Sequence, residues 1–331
     1  MNSRDRVFAM LDGRPVDRLP RMPITMLFAA RQYGVKYGDY AADHRVMVDA
    51  QIRTSDQFGF DHVSGISDPA REASDVGGSV AWFEDQPPAL VEEGSLLEDK
   101  SRLSKLHVPD PLGGGRMHDR VKAMTLFKER VGDRKIIEGW VEGPGNQGAN
   151  LRGINRLMLD FHDDPGFVRE LVAFIVEMEV KFGTAQIEAG ADIIGMGDPV
   201  ASLAGPRVYE EFLGPGEKAI IDGLHAAGAR VRLHICGNSR KILKGMAHVG
   251  ADIIDLDSLT PIHEARSACG ADQVLLGNID PVRMLCEGPA DSIRSAMEEC
   301  KRQAGPKYMI GAGCEVPRDT PVEHLRAMLG D

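Results

Sequence analysis

The sequence lacks long apolar runs. None of its 331 residues lies in an uninterrupted stretch of about 18 apolar residues, the length that a membrane-spanning helix needs. The N-terminus, which begins Met1-Asn-Ser-Arg-Asp-Arg-Val-Phe, is charged and has no apolar centre of the kind found in secretory signal peptides. We therefore predict a protein that has no membrane partner and is located in the cytoplasm.

Positive charge is also scarce. The chain carries 39 lysines and arginines against 50 aspartates and glutamates, which gives a net charge of −11. Nucleic acids and anionic membrane surfaces attract proteins that present a basic face. The charge balance therefore argues against nucleic acid as a partner, although it leaves room for a local basic pocket that binds an anionic substrate.

Cysteine is rare. The chain has five cysteines, and without an export signal they are expected to stay reduced in the cytoplasm. Cys269, Cys286 and Cys300 fit the common role of small core residues. Cys236 and Cys314 differ from them, because each follows an apolar run of strand length.

Short apolar runs alternate with helical patterns along most of the chain. Helical spacing is clear over 167–189, 207–227 and 291–303. Strands that alternate with helices form parallel βαβ units, and eight such units favour an α/β fold with a single (β/α)8 TIM barrel. The predicted strands are Arg21–Thr25, Asp61–Ser67, Lys135–Glu142, Ala191–Asp198, Arg230–Cys236, Asp252–Asp257, Gln273–Asn278 and Lys307–Gly311.

Residues 76–93 interrupt this alternation. Two short β-prone segments at 80–84 and 89–93 flank Asp85-Gln-Pro-Pro, which predicts a β-hairpin inserted after the second strand. A hairpin at the barrel mouth is suited to form a wall of the active site. No linker divides the chain, so we expect one domain over residues 1–331.

Polar side chains accumulate at the carboxyl ends of the predicted strands, where the catalytic groups of TIM barrels lie. Every predicted strand except the first ends in residues that can bind a metal or transfer a proton. For Asp198 and Asp257, capping of the helix that follows is an equally good explanation. The strand-end residues are Asp68, Glu142, Asp198, His234 with Cys236, Asp257, Asn278 with Asp280, and Cys314 with Glu315.

Three of these residues form a candidate metal site. His234 and Cys236 are two apart on a strand, so their side chains point to the same side. Cys314 follows the last predicted strand, at the same mouth of the barrel. One imidazole and two thiolates suit Zn²⁺, and three protein ligands leave a fourth position open for a substrate.

Several motifs together resemble the uroporphyrinogen decarboxylase superfamily, over roughly Arg4 to Leu329. Within it, the His-x-Cys motif and the distant Cys are most similar to the zinc methyltransferase branch, which includes methylcobalamin:coenzyme M methyltransferases. The motifs are Phe58-Gly-Phe-Asp-His-Val, Ser67-Asp-Pro, Glu188-Ala-Gly-Ala-Asp, His234-Ile-Cys-Gly-Asn, Leu276-Gly-Asn-Ile-Asp-Pro and Gly313-Cys-Glu-Val-Pro-Arg-Asp-Thr-Pro.

The chain departs from the decarboxylase branch near its N-terminus. That branch is marked by Met-Arg-Gln-Ala-Gly-Arg-Tyr, whose arginines hold substrate carboxylates. The corresponding stretch here is Phe28-Ala-Ala-Arg-Gln-Tyr-Gly-Val, which retains Arg31 and lacks the second arginine. Asp68 resembles the decarboxylase's pyrrole-binding aspartate, but a porphyrinogen with eight carboxylates would lose much of its counter-charge.

The resemblance implies a zinc-dependent methyltransferase that moves a methyl group between a corrinoid (methylcobalamin) and a small molecule such as a thiol, methyl ether or methylamine, as in O-demethylation systems. The chain has no Asp-x-His-x-x-Gly motif that would ligate cobalamin, so a separate corrinoid protein is the expected partner.

The residues divide into expected roles at this site. His234, Cys236 and Cys314 are the expected zinc ligands, and the fourth is expected to be Asp257 or water. Asn238 and Asn278 are candidates for contacting the corrinoid or the substrate. The candidate catalytic groups, which would handle protons or bind substrate, are Asp68, Glu142 and Asp198.

Two alternatives remain open. One is a decarboxylase that needs no cofactor and acts on a tetrapyrrole or a similar poly-acid, with Arg31, Arg71 and Arg116 as candidates for the basic pocket it requires. The other is an accessory protein that binds a corrinoid or a metal and catalyses nothing.

Overall fold

A single curved parallel sheet organises the chain in the computed structural model, which describes residues 1–91 and 93–330. Seven strands pair in the order β1-β4-β5-β6-β7-β8-β9, and β2 and β3 form a separate antiparallel pair. The strands are β1 (His62–Ser64), β2 (Val80–Ala81), β3 (Ala89–Leu90), β4 (Ile136–Glu142), β5 (Ile193–Gly197), β6 (Arg230–Ile235), β7 (Ile253–Leu256), β8 (Val274–Leu276) and β9 (Tyr308–Met309).

Helices connect successive strands and cover the outer face of the sheet. A 3₁₀ helix spans Lys100–Lys105, and π-helical turns span Tyr209–Leu213 and Pro281–Cys286. The α-helices are α1 (Ser3–Leu11), α2 (Leu27–Tyr33), α3 (Tyr37–Ala42), α4 (His44–Phe58), α5 (Arg71–Val76), α6 (Arg116–Val131), α7 (Pro144–Arg152), α8 (Ile154–Asp163), α9 (Pro165–Glu188), α10 (Pro199–Val208), α11 (Gly214–Ala226), α12 (Leu243–Met246), α13 (Ile262–Cys269), α14 (Ala290–Ala304) and α15 (Val322–Leu329).

The predicted helices over 167–189 and 291–303 are confirmed within a few residues as α9 and α14. The helix predicted over 207–227 corresponds to the end of α10, a π-helical turn and α11, all in helical conformation. The break in this region lies just before it, where Gly205 has a φ of 79° and Pro206 follows. Proline removes a backbone donor and glycine tolerates positive φ, so the pair bends the chain directly before the predicted helix begins.

The core has two layers. The larger layer lies between the sheet and the surrounding helices. A smaller inner cluster contains the first residues of several strands, including Ile136, Ile193 and Ile253. Val7 and Met10 of α1 belong to the same cluster. Helix α1 therefore covers the amino-terminal end of the sheet. The carboxyl ends of the strands, where the candidate ligands were predicted, lie at the opposite end.

Glycines occupy two of the helix–strand junctions. Gly190 and Gly250 have φ values of 118° and 91°, which residues with a β-carbon rarely adopt. Each glycine ends a helical segment and lets the chain turn directly into β5 or β7. The parallel order of these strands depends on such short, sharp connections.

The first predicted strand, Arg21–Thr25, is wrong as a continuous strand. Only Arg21 forms a parallel bridge, to Ile310, although residues 20–24 also exchange backbone hydrogen bonds with residues 61, 310 and 316. Pro20 and Pro23 provide the physical reason, because a proline has no N–H to donate to a ladder. The described sheet therefore has seven strands where eight were predicted.

The segment between β1 and β4 contains the short antiparallel pair β2–β3, with Val80 opposite Leu90. The predicted hairpin segment extends over residue 92, which lies outside the described residues. At the tip of this pair, Asp85 accepts a hydrogen bond from the Tyr37 backbone, and its carbonyl accepts one from Arg318 at 2.6 Å. None of the helices in residues 1–91 and 93–330 has both the length and the apolar character needed to span a membrane.

Candidate metal centre

Strand β6 carries the first two candidate ligands to the carboxyl end of the sheet. His234 lies opposite Gly197 of β5 and Asp255 of β7, and Cys236 is the first residue after the strand. The next residue, Gly237, has a φ of 87°, and a β-carbon there would lie 2.8 Å from Ser202 Oγ. Glycine therefore allows the chain to turn away immediately after presenting the Cys236 thiol.

Cys314 reaches the same place from the loop after β9. The backbone N–H of Gly313 donates to the Ile279 carbonyl, and a β-carbon on Gly313 would lie 2.4 Å from the Ser258 backbone nitrogen. This close backbone approach brings Cys314 against the ends of β7 and β8. His234 Nε2 lies 3.0 Å from Cys236 Sγ, and the two sulfur atoms are 3.6 Å apart.

The three ligand atoms of His234, Cys236 and Cys314 all lie within 4.8 Å of one another. Within the described parts of the chain, no other group of three or more His, Cys, Asp or Glu side chains converges in this way. His234 is buried, and both cysteines are partly exposed. The set therefore has a buried side that fixes the imidazole and an open side through which a small molecule can approach.

The protonation states of His234, Cys236 and Cys314 depend on one another. A hydrogen bond from Cys236 lowers the pKa of Cys314 to about 4 against the effect of burial, and His234 acts in the same direction. The same bond to Cys314, together with burial, raises the pKa of Cys236. Burial disfavours the His234 cation, but Cys236 and Asp255 outweigh it and raise the pKa of His234.

This donor set fits zinc. Two thiols and one imidazole are the soft and borderline ligands that zinc prefers, and a divalent ion displaces ligand protons when it binds. In place of those protons, one ion at the centre of the group would interact with all three donors. Three protein donors also leave one position of a tetrahedron for a further ligand.

Asp257 lies outside this group of three. Its Oδ2 accepts the Gly237 N–H at 2.8 Å, and its Oδ1 accepts the Leu259 N–H at 2.8 Å and the Ser258 hydroxyl at 3.4 Å. The carboxylate therefore fixes the turn directly after Cys236 as well as its own loop. Its role as a fourth ligand stays a prediction.

The two asparagines predicted to contact cofactor or substrate differ in exposure. Asn278 is nearly buried, and its side-chain N–H groups donate to the Asp257 carbonyl at 2.9 Å and to the Thr260 carbonyl at 2.6 Å. Asn238 is exposed, and its Oδ1 accepts the Arg240 N–H at 3.3 Å. Asn278 thus ties the loop after β8 to the loop after β7, whereas Asn238 is accessible to a ligand.

Asp68 and Glu142 belong to a buried network of charges. Asp68 accepts two hydrogen bonds from Arg116, at 2.8 and 2.6 Å, and this pairing outweighs burial and lowers the pKa of Asp68. Glu142 lies 3.3 Å from Arg71 and accepts a hydrogen bond from Asn146 at 2.6 Å. Burial, helped by a neighbouring carboxylate, raises the pKa of Glu142 well above its ordinary value in spite of Arg71.

Asp198 does not cap the helix that follows it. Its two carboxylate oxygens accept the backbone N–H groups of Gly145 and Asn146, at 3.0 and 2.7 Å, at the start of α7, which follows the neighbouring strand β4. Burial raises the pKa of Asp198 to about 7. Its backbone N–H donates to the His234 carbonyl, so Asp198 connects the ends of β4, β5 and β6.

A set of charged residues beneath the candidate ligands was not predicted from the sequence. Asp255 Oδ2 lies 3.0 Å from His234 Nδ1, and Arg232 pairs with both Asp255 and Glu138. The available sequence signal was the spacing of Arg232, His234 and Cys236, which places all three side chains on one face of β6. A charged residue within an otherwise apolar strand indicates that a residue of opposite charge is buried next to it.

Glu315 turns away from the group of three. Its Oε1 accepts the backbone N–H groups of Met26 and Leu27 at the start of α2, at 3.2 and 2.6 Å. Burial raises the pKa of Glu315 to about 7, in spite of these two hydrogen bonds. The carboxylate therefore anchors the Cys314 loop to α2.

Comparisons with known proteins give consistent matches. A methylcobamide:CoM methyltransferase, MtbA, of Methanosarcina mazei is 26% identical over 98% of this chain and 96% of its own length. The related MtaA of Methanosarcina barkeri is 24% identical with the same coverage. A uroporphyrinogen decarboxylase of Carboxydothermus hydrogenoformans is 30% identical, over 57% of this chain and 52% of its own length.

Solved structures show the same fold. A methyltransferase from Methanosarcina mazei superposes with a TM-score of 0.90, covering 100% of this chain and 98% of its own at 22% identity. A B12-independent methionine synthase from Shewanella matches with a TM-score of 0.58 at 13% identity, covering 86% of this chain and 85% of its own. The family model for uroporphyrinogen decarboxylase (URO-D) matches residues 2–330. The chain therefore belongs to the uroporphyrinogen decarboxylase family.

Proposed function

We propose that this protein is a zinc-dependent methyltransferase that moves a methyl group between a corrinoid and a small molecule such as a thiol, a methyl ether or a methylamine. One observation carries the proposal. His234, Cys236 and Cys314 converge within 4.8 Å at the open end of the sheet, in a chain that matches methylcobamide:CoM methyltransferases over 98% of its length.

The ligand residues set the charge of the proposed site. Cys236 and Cys314 supply two thiolate charges that offset a divalent ion, and His234 binds as a neutral ring. When zinc is bound there, it acts as a Lewis acid that keeps a coordinated thiol deprotonated at neutral pH. A site with two thiolates leaves more electron density on the bound sulfur than a site of three histidines, which suits attack on a methyl group.

Residues around the ligands are proposed to handle protons and to position the substrate. Asp257 holds the turn after Cys236, and Asn238 is accessible to a ligand. Burial raises the pKa of both Glu142 and Asp198, so each holds its proton nearer to neutral pH than an ordinary carboxyl. Either group is suited to donate that proton to an oxygen or nitrogen leaving group. Asp68, paired with Arg116, is proposed as a substrate contact.

A separate corrinoid protein is the proposed partner. The chain has no cobalamin-ligating motif of its own, and the relatives are named for methylcobamide. We propose that the partner docks at the carboxyl end of the strands, with the β2–β3 pair as one wall of the opening. The two thiols must stay reduced to bind zinc, which favours a cytoplasmic location.

The architecture is proposed to be one barrel-like domain over residues 1–331. Residues 20–24 bond to residues 61, 310 and 316 and so occupy the position between β9 and β1. We propose that these scattered hydrogen bonds complete the barrel in place of an eighth strand. The last residue of the domain, 331, lies outside the described residues.

The decarboxylase alternative is less well supported by the charges. Arg71 is fully buried between Glu72 and Glu142, and Arg116 is paired with Asp68. Arg31 is 67% exposed in its side chain and lies 3.8 Å from Asp319. Two of the three arginines expected to bind a poly-acid are therefore neutralised by the protein's own carboxylates.

Metal analysis combined with a methyl-transfer assay tests the proposal. We expect about one zinc per chain in the purified protein and demethylation of methylcobalamin by at least one member of a panel of thiols. Replacement of His234 or Cys314 by alanine should remove both the metal and the activity. Cys269→Ala is the matched control and should retain both, because Cys269 lies on α13, outside the group of three.

Two other results would point to the alternatives. Zinc binding without methyl transfer to or from any thiol, ether or amine would favour the accessory protein. Full activity on a poly-acid after removal of the metal with a chelator would favour the decarboxylase.

A further inference from the structure

A line of buried charged side chains runs from His234 into the interior of the sheet. His234 Nδ1 lies 3.0 Å from Asp255 Oδ2, which accepts hydrogen bonds from Arg232 at 2.7 and 3.0 Å. Arg232 also donates to Glu138 Oε1 at 3.0 Å, and Glu138 Oε2 lies 3.7 Å from His62 Nε2. Each of these five residues is at most 3% exposed.

The strands place these side chains in register. Asp255 pairs with His234 across the β6–β7 ladder, and Arg232 lies two residues before His234, on the same face. The guanidinium of Arg232 lies 6.0 Å from the centre of the Trp140 ring, which limits its movement on that side. The line is therefore fixed by backbone pairing and by packing, at a depth that solvent does not reach.

Burial of these charges is energetically unfavourable unless each one is paired. Apolar side chains of similar volume commonly stabilise an interior as well as an ion pair does. Arg232 carries one positive charge against the two negative charges of Asp255 and Glu138, and burial lowers the pKa of His62 to about 4, so His62 is neutral. One negative charge is left in excess directly beneath His234.

The contact between His234 and Asp255 is specific. Within the described residues, His234 Nδ1 lies against Asp255 Oδ2 and has no other polar partner, and Asp255 Oδ1 has no hydrogen-bond partner. Both atoms are buried, and an unpaired buried polar atom is costly. The Asp255 carboxylate is therefore placed to accept the Nδ1 proton of His234. The other ring nitrogen, Nε2, faces the thiols.

We propose that Asp255 is a positioning residue for the metal centre: it accepts the Nδ1 proton of His234 and so holds Nε2 towards the ion, while Arg232 and Glu138 hold Asp255 in place. This inference rests on the proposed binding of zinc by His234. Carboxylates that orient a metal-bound histidine in this way raise metal affinity about 10–100-fold.

Zinc affinity is the measurement that tests the inference. We expect Asp255→Asn to weaken zinc binding by about 10–100-fold in competition with a chromophoric chelator, and to shift the visible absorption bands of the cobalt-substituted protein. Asp255→Glu, which keeps a carboxylate, should recover part of the affinity. Asp252→Asn is the matched control, because Asp252 lies directly before the same strand and pairs with Arg230 and His225 and not with His234.

Arg232→Lys covers the case in which Asp255→Asn does not fold. Lysine keeps the buried positive charge but loses the two-nitrogen contact with Asp255 Oδ2, so zinc binding should again weaken relative to the Asp252→Asn control. Affinity within twofold of wild type in folded Asp255→Asn, or in Arg232→Lys where Asp255→Asn does not fold, would overturn the inference. A wild-type protein that binds no zinc would instead overturn the proposed function.

Discussion

At the scale of single residues, Cys236 and Cys314 differ from the other three cysteines in their proximity to each other. Their sulfur atoms are 3.6 Å apart, next to the His234 ring. A hydrogen bond from Cys236 lowers the pKa of Cys314 to about 4, so Cys314 is a thiolate at neutral pH. A thiolate beside a second thiol is reactive towards oxidants unless both sulfurs are bound to a metal.

We therefore expect the metal-free protein to form a disulfide between Cys236 and Cys314 when it is treated with diamide. The two thiols lose two protons and two electrons, which reduce the diazene to a hydrazine, and one S–S bond forms. Mass spectrometry of a tryptic digest identifies the cross-linked peptides. Zinc added before the oxidant should prevent the cross-link; a cross-link of equal yield in the zinc-loaded protein would contradict the proposed ligation.

Glu217 provides a second residue-scale prediction. It is fully buried, accepts the Tyr209 hydroxyl at 2.5 Å, and burial beside Asp198 raises its pKa well above the ordinary value of 4.5. The folded protein therefore keeps a proton that the unfolded chain releases above about pH 4.5. Stability from this group is fully present below that pH and is lost as the pH rises towards the folded pKa.

Glu217→Gln removes this titration while keeping an oxygen that accepts from Tyr209. We expect the variant to lose less stability than wild type between pH 5 and pH 8, as measured by urea denaturation at each pH. Glu210→Gln, at an exposed position on the adjacent turn, is the control and should follow wild type. Parallel pH curves for wild type and Glu217→Gln would show that Glu217 is ionised in the folded state.

At the scale of elements, the site depends on where loops leave the strands. The β6 turn is held by the Asp257 carboxylate, and the β9 loop is held by Glu315 against the start of α2. Gly313 lets the second loop pass close to the backbone at Ser258, where a β-carbon would lie only 2.4 Å from the nitrogen. Because the obstacle is backbone, side-chain rotation cannot relieve it.

Gly313→Ala should therefore displace Cys314 and weaken zinc binding. The loss in zinc-binding free energy should exceed the loss in unfolding free energy. Overpacking of this kind typically costs about 1–3 kcal/mol in unfolding free energy. Chelator competition gives the affinity, and denaturant unfolding gives the stability. Gly166→Ala is the matched control, since its β-carbon would have only Asp164 Oδ1, at 3.7 Å, within 4 Å. Unchanged zinc affinity in Gly313→Ala would mean that the loop can move without moving the thiol.

At the scale of the whole molecule, stabilising contacts and candidate chemistry lie at opposite ends of the sheet. Asp61, directly before β1, is fully buried and bonds to Arg6 at 2.5 Å, to Arg18 at 2.7 Å and to the Arg21 backbone at 2.8 Å. These contacts join α1 and residues 18–21 to the first strand. The candidate ligands lie at the other, carboxyl ends of the strands, with His234 near the end of β6 and both cysteines in the loops that follow.

We expect Asp61→Asn to lower the unfolding free energy by about 1–3 kcal/mol, because it removes the buried charge that pairs with Arg6 and Arg18, while Arg6 keeps its second partner, Asp17. Zinc affinity of the folded variant should stay within twofold of wild type. Denaturant unfolding and chelator competition measure the two quantities separately, with the exposed Asp99→Asn as the control. A large loss of zinc affinity in a folded Asp61→Asn protein would show that the two ends are coupled.

Much of the fold could be predicted because local patterns carry it. Apolar runs located seven of the eight predicted strands, and glycine junctions such as Gly190 fixed where helices end. The strand at 21–25 could not be predicted correctly from apolar character, since Pro20 and Pro23 limit ladder bonding there.

The sequence by itself determined the donor set. The spacing of His234 and Cys236 on a strand, and the position of Cys314 after the last strand, follow from periodicity and strand order alone. Strand-end position also identified Asp68, Glu142 and Asp198 as candidate catalytic carboxylates, and their burial came from the tertiary structure. These inferences need only the rule that side chains alternate and that parallel strands end on one side.

Only the tertiary structure decided the partners of these groups. Asp255, Arg232 and Glu138 come from three strands, and their pairing beneath His234 depends on register between β4, β6 and β7, which no local pattern specifies. The same holds for Asp198, whose carboxylate binds the start of α7, on the neighbouring strand's connection, rather than the helix that follows it. Hydrogen bonds and charge pairing act over a few ångströms in space. Residues far apart in the chain therefore become partners only once the strands have paired and brought them together.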